Sequence, residues 1–122
     1  MTRILLIEDD EALRSLTKSV LEREGYAVDE AVHGKEGLVK FRANPANLVI
    51  TDLLMPVQEG FQTIIELTKE FPDVKIIAIS GSIEMVNIDL LPAAKGFGAL
   101  RTLGKPISAQ VLIQNVREVL ES

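Results

Sequence analysis

The stretch 48-LVITDLLMPVQEG-60 decides the fold. Leu48, Val49 and Ile50 want burial and Thr51 tolerates it, yet the run ends on the charged Asp52. Without helical periodicity, such a run reads as a strand buried on both faces. A carboxylate at its end is unexpected, because no helix start there explains it.

Working outward, similar runs recur: "RILLIE" over 3–8, "AVDEAV" over 27–32, "NLVITD" over 47–52, "VKIIAIS" over 74–80 and "ALRTLG" over 99–104. Amphipathic stretches separate them, so the chain reads as strand then helix five times over. That alternation predicts an α/β fold, a doubly wound five-stranded parallel sheet with helices on both faces. Only 27–32 alternates as an edge strand would. The usual order for five such units is 2-1-3-4-5, which makes the first and third strands neighbours.

The first helix is expected from about Glu11 to Glu24, burying Leu13, Leu16, Thr17, Val20 and Leu21, and stopping at Gly25. A second covers about Lys35 to Ala43 and ends at Asn44-Pro45. A third runs from about Gly60 to Phe71 with Phe61, Ile64, Ile65 and Leu67 inward and Pro72 ending it. The fourth is weak: residues 83–99 carry Pro92 and two glycines, which predicts a short or broken helix. The last starts at a Ser108 cap and faces the sheet with Val111, Leu112, Asn115, Val116, Val119 and Leu120.

A chain of 122 residues suits one domain, 1–122, with a real core. Apolar residues at 47% and charged residues at 25% exclude disorder and fibres. A net charge of -5 argues against nucleic acid and anionic membrane as direct partners. With no cysteine, thiolate metal sites and thiol nucleophiles are excluded, and a cytoplasmic location is expected.

In a parallel sheet every strand points the same way, so residues at the strand ends meet at one rim. Glu8, Asp9, Asp10 and Glu11 follow the first strand, Asp52 ends the third, Ser80-Gly81 closes the fourth and Lys105 follows the fifth. Taken singly, Asp9 and Asp10 read as helix caps, Asp52 as a turn residue, Ser80-Gly81 as a turn and Lys105 as a solvated lysine. Their meeting at one rim is what those separate readings leave unexplained. Two carboxylates about 4 Å apart repel by roughly 4 kcal/mol at an effective dielectric near 20. Lys105 supplies one compensating charge; a hard divalent cation such as Mg²⁺ would supply more, through carboxylates, a carbonyl and waters. The Ser80 hydroxyl suits a phosphoryl oxygen.

The chain resembles the receiver domains of bacterial two-component response regulators over essentially its whole length. The motifs are "LLIEDDEALR", "TDLLMPVQEG", Ser80-Gly81 and Lys105-Pro106. The resemblance implies a flavodoxin-like receiver fold in which Asp52 accepts a phosphoryl group from a histidine kinase or phosphotransfer protein. It implies Mg²⁺ held directly by Asp9 and Asp52, by Glu8 mainly through water, and by the carbonyl of Leu54; Asp10 is left to start the first helix. Ser80 and Lys105 would bind phosphoryl oxygens, and Lys105-Pro106 would be cis. The domain would catalyse its own phosphorylation and dephosphorylation without being a conventional enzyme. It would then switch binding of a downstream protein target or output domain, through the face formed by the fourth helix, fifth strand and last helix.

Three departures stand out. Thr102 occupies the strand-five position where the family commonly has an aromatic switch residue, and Pro92 predicts an unusual output face. Leu54 replaces a residue that is often polar, which predicts slow hydrolysis of the aspartyl phosphate. "GALRTLGKP" misses the phosphate-loop spacing and "GFGALR" lacks the third glycine of a dinucleotide fingerprint. His33 reads as a loop residue before the second helix, and Met55-Pro56 as packing and a turn. A receiver segment of a larger regulator or hybrid kinase fits the same residues. A Mg²⁺-dependent phosphohydrolase using an aspartyl-phosphate intermediate is disfavoured, since "DLLMP" offers no second acid, and a docking module without phosphorylation is disfavoured by the intact site.

Overall fold

The computed structural model describes residues 2–53, 60–80, 96 and 98–122. The elements in chain order are β1 (Arg3–Ile7), α1 (Glu11–Arg23), β2 (Ala27–Ala31), α2 (Gly34–Ala43), β3 (Leu48–Asp52), α3 (Gly60–Glu70), β4 (Ile76–Ser80), β5 (Arg101–Gly104) and α4 (Ala109–Glu121). Residues 83–95 and 97 of the expected weak helix, Gly81, Leu54 and Met55-Pro56 lie outside the described residues. The five strands form one parallel sheet in the order β2-β1-β3-β4-β5.

Alternation along each strand sends side chains to both faces, and both are covered. Leu5, Ile7, Val49, Ile76 and Ala78 pack with Leu38, Phe41, Ile64 and Leu67 of α2 and α3. On the other face Ile4, Leu6, Leu48, Ile50, Ile77 and Ile79 pack with Leu21, Leu112, Ile113, Val116 and Val119 of α1 and α4. Complete burial of β3 and β4 explains their unbroken apolar runs, and half-exposed β2 is the edge that its alternation predicts.

Three helix faces differ in detail from expectation. Leu16, Ile65 and Val111 are exposed rather than buried, while Thr63 and Ile113 take inward places. A stripe about 100° wide admits three to four positions per two turns, so surplus apolar residues at its margin are left in water. The helix starts are well specified. Asp10 caps α1 by accepting from the Leu13 amide at 2.9 Å, and Ser108 caps α4 by accepting from Val111 at 3.1 Å. His33 is the N-cap of α2, its Nδ1 accepting from the Glu36 amide at 3.1 Å. Gly25 turns the chain after α1 with φ 93°. Among the described residues no helix is long and apolar enough to cross a membrane.

Candidate functional site

Register places the candidate residues at one level. Ile7 pairs with Thr51, Asp52 with Ile79, and Ser80 with Gly104. Glu8 and Lys105 each follow their strand by one residue, so both leave the sheet beside Asp52. The main chain holds that rim: the Glu8 amide donates to Ala31, Leu53 to Ile79 and Lys105 to Ser80, each at 3.0 Å. The peptide bond between Lys105 and Pro106 is cis.

The side chains converge. One carboxylate oxygen from each of Glu8, Asp9 and Asp52 lies within 4.8 Å of the others. Glu8, Asp52 and Ser80 are buried, at 5%, 6% and 2% exposure, whereas Asp9 is exposed. Lys105 Nζ donates to Asp52 Oδ2 at 2.7 Å and to Glu8 Oε1 at 3.3 Å. The other Glu8 oxygen accepts from the Asp10 amide at 3.2 Å.

Burial raises the Glu8 pKa from 4.5 to about 7, helped by the Asp52 charge and opposed by the Asp10 hydrogen bond and by Lys105. For Lys105, burial alone would lower the pKa. The hydrogen bond and charge of Asp52, followed by those of Glu8, outweigh it, so the shift is upward and the lysine stays charged. Among the described residues, one lysine thus faces three crowded carboxyl groups.

That imbalance is the test of whether a cation belongs here. The donors are all oxygen, two of three are buried, and no cysteine exists in the chain. His33 is engaged at the start of α2. Such a donor set fits a hard divalent ion such as Mg²⁺ better than a soft one. The Leu54 carbonyl, expected as a further ligand, lies outside the described residues.

A groove of about 540 Å³ is lined by Leu13 and Leu16 of α1 and Leu112 of α4 together with Glu8, Asp52 and Lys105. Thr102 lies on β5 opposite Ala78 and is half-buried. The sequence reading does not single out Arg14, whose Nη1 donates to the Glu8 carbonyl at 2.9 Å. Its placement one turn into α1, above the acidic turn, was the available signal.

Residues 4–117 match the family model of the response regulator receiver domain. The chain is 37% identical over 120 residues to the sensor kinase CckA of Brucella abortus, covering 97% of this chain and 12% of that protein. It is 32% identical to the transcriptional regulatory protein CseB of Streptomyces avermitilis, covering 98% of this chain and 49% of that one. The response regulator receiver protein CpdR of Brucella abortus is 30% identical, with 98% of each chain covered. Among solved structures, a receiver domain protein from Clostridium thermocellum matches with a TM-score of 0.89 and 30% identity over 99% of this chain and 95% of that one. A CheY-like receiver domain protein from Methanospirillum hungatei gives 0.89 and 31%, over 99% and 94%. The chain belongs to the response regulator receiver domain family, and its sheet order is that of CheY-like receivers. It spans half or less of the length of CckA and CseB.

Proposed function

We propose that residues 1–122 act as a single cytoplasmic receiver unit in which Asp52 accepts a phosphoryl group, and that the modified unit binds a downstream protein target or output domain. The carrying observation is the convergence of Glu8, Asp9, Asp52 and Lys105 on one sheet rim, with Lys105 2.7 Å from the acceptor carboxylate. The donor would be a phosphohistidine of a kinase or phosphotransfer protein. An Asp52 oxygen bonds to phosphorus as the histidine nitrogen–phosphorus bond breaks, and the departing nitrogen keeps the electron pair.

Each residue has a definable task. Asp52 attacks through a side-chain oxygen. Its position at the end of a wholly buried strand keeps it fixed while its oxygens reach the crevice. Lys105 neutralises charge that spreads over the phosphoryl oxygens in the transition state. Ser80, one strand away on β4, offers a hydroxyl for another phosphoryl oxygen. Glu8, Asp9 and Asp52 would hold Mg²⁺, with the Leu54 carbonyl completing the protein ligands. When bound, the ion supplies positive charge that offsets both the carboxylate cluster and the incoming phosphoryl group.

The test is incubation with acetyl phosphate and Mg²⁺, read by intact mass. One phosphoryl adduct on the parent and none on Asp52→Asn supports the reading. Continuous turnover of small phosphate esters would favour a phosphohydrolase instead.

A further inference from the structure

The acidic turn between β1 and α1 carries a mechanical problem as well as an electrical one. Crowding the carboxyl groups of Glu8, Asp9 and Asp52 within 4.8 Å opposes the close approach of that turn to β3 once Glu8 loses its proton. Something must hold it in place before any cation arrives.

Arg14 is placed to do so. Its side chain is only 15% exposed, and Nη1 donates to the main-chain carbonyl of Glu8 at 2.9 Å. Nε of the same guanidinium lies 3.4 Å from Glu30 Oε1 on β2. Glu30 is itself held by Lys18, whose Nζ donates to Oε2 at 3.1 Å. The planar guanidinium therefore spans from the edge strand to the backbone of the acidic turn, a geometry that lysine cannot reproduce. Asp10 fastens the turn from the other end, accepting from Leu13 through Oδ1 while its own amide donates to Glu8 Oε2.

We propose that Arg14 is a positioning residue for the cation site: it pins the Glu8 carbonyl, keeps the carboxylates of Glu8 and Asp9 in reach of Asp52, and is itself aimed by Glu30. The proposal rests on the reading of the acidic cluster as a divalent-cation site. Arg14 touches neither the ion nor the phosphoryl group. Partners that orient metal ligands typically contribute about 10- to 100-fold in metal affinity. Acting through a carbonyl rather than a carboxylate, Arg14 belongs at the lower end, about tenfold.

Lys18 supplies an internal control, because it binds the same Glu30 carboxylate without touching Glu8. Mg²⁺ affinity is measured by calorimetry on the parent, Arg14→Ala, Lys18→Ala and Glu30→Ala. Hydrogen exchange of the Asp10 amide is measured on the metal-free proteins. Arg14→Ala is expected to weaken Mg²⁺ by about tenfold and to speed Asp10 exchange; Glu30→Ala changes both in the same direction by a smaller factor, and Lys18→Ala, one contact further out, changes both by less than Glu30→Ala does. At saturating Mg²⁺ the Arg14→Ala protein recovers the parent rate of phosphorylation by acetyl phosphate. Equal Mg²⁺ affinity in parent and Arg14→Ala overturns the proposal, as does an equal loss in Lys18→Ala, which would mark general loosening of the sheet edge. Failure of the parent to bind Mg²⁺ overturns the cation reading and this proposal with it. Should Arg14→Ala not fold, Glu30→Ala decides on the same two readings.

Discussion

Lys105 Nζ sits 2.7 Å from Asp52 Oδ2 and, by reaching on to Glu8, ties the ends of three strands together with a single charge. Its removal takes away the tether between β5 and β3 and, under the proposed function, neutralisation of the transferring group. Lys105→Ala is expected to slow phosphorylation by acetyl phosphate by on the order of 100-fold at saturating Mg²⁺. An initial-rate measurement by mass spectrometry checks this, and a rate within threefold of the parent would deny Lys105 a role at the phosphoryl group.

The Glu8 carboxyl has a folded-state pKa of about 7 against 4.5 unperturbed. The folded protein therefore keeps a proton that the unfolded chain releases between those values, so stability falls as pH rises from about 4.5 to 7 and then levels. The expected loss in metal-free protein is about 1–3 kcal/mol. Denaturant unfolding at pH 5.5 and pH 8 measures it, and Glu8→Gln should flatten the difference. Because a protonated Glu8 is a poor ligand, stabilisation by Mg²⁺ should grow with pH over the same window. A parent curve that climbs from pH 5.5 to 8 without metal would contradict the assigned cause.

Ser80 is buried at the rim, and its carbonyl accepts from the Lys105 amide, so it lies on the connection between Asp52 and β5. If the proposed phosphorylation drives a switch, Thr102 offers no aromatic ring on β5 to share it, and the Ser80 hydroxyl is expected to carry it. A phosphate mimic bound at Asp52 should shift backbone resonances across residues 83–105 in the parent. In Ser80→Ala, shifts should remain close to Asp52. Identical shift patterns in the two proteins would remove Ser80 from the switch.

Gly98, three residues before β5, has φ 126°, and a Cβ there would come 2.6 Å from Thr68 Cγ2. Thr68 cannot swing aside freely, because its hydroxyl donates to the Ile64 carbonyl at 2.8 Å. Gly98→Ala should cost about 1–3 kcal/mol by combining backbone strain with overpacking. Gly25 also has a positive φ, of 93°, but faces open space, so Gly25→Ala should cost less. Chemical denaturation of both variants gives the comparison, and equal losses would mean that the Thr68 contact carries no energy.

Strand positions were legible because β3 and β4 are wholly buried, and burial writes itself into residue type, whereas the sheet order followed only from the usual topology of such folds. The site was legible for a related reason: a parallel sheet sends every strand end to one rim, so Glu8, Asp9, Asp52, Ser80 and Lys105 needed only to be placed at strand ends. Helix faces were less so. Leu16, Ile65 and Val111 are apolar and exposed, and composition alone does not separate them from Leu21, Ile64 and Leu112. Arg14 escaped notice because a hydrogen bond to a main-chain carbonyl demands nothing of the acceptor's side chain.

The most direct measurement locates the phosphoryl group on the chain. After reaction with acetyl phosphate and Mg²⁺, borohydride reduction converts an aspartyl phosphate to homoserine, which peptide sequencing by mass spectrometry places. Homoserine in place of Asp52, formed only when Mg²⁺ is present, is the expected result. Homoserine in place of Asp9 or Asp10, or an equal yield at Asp52 in excess chelator, would contradict the assignment of acceptor and cation trap.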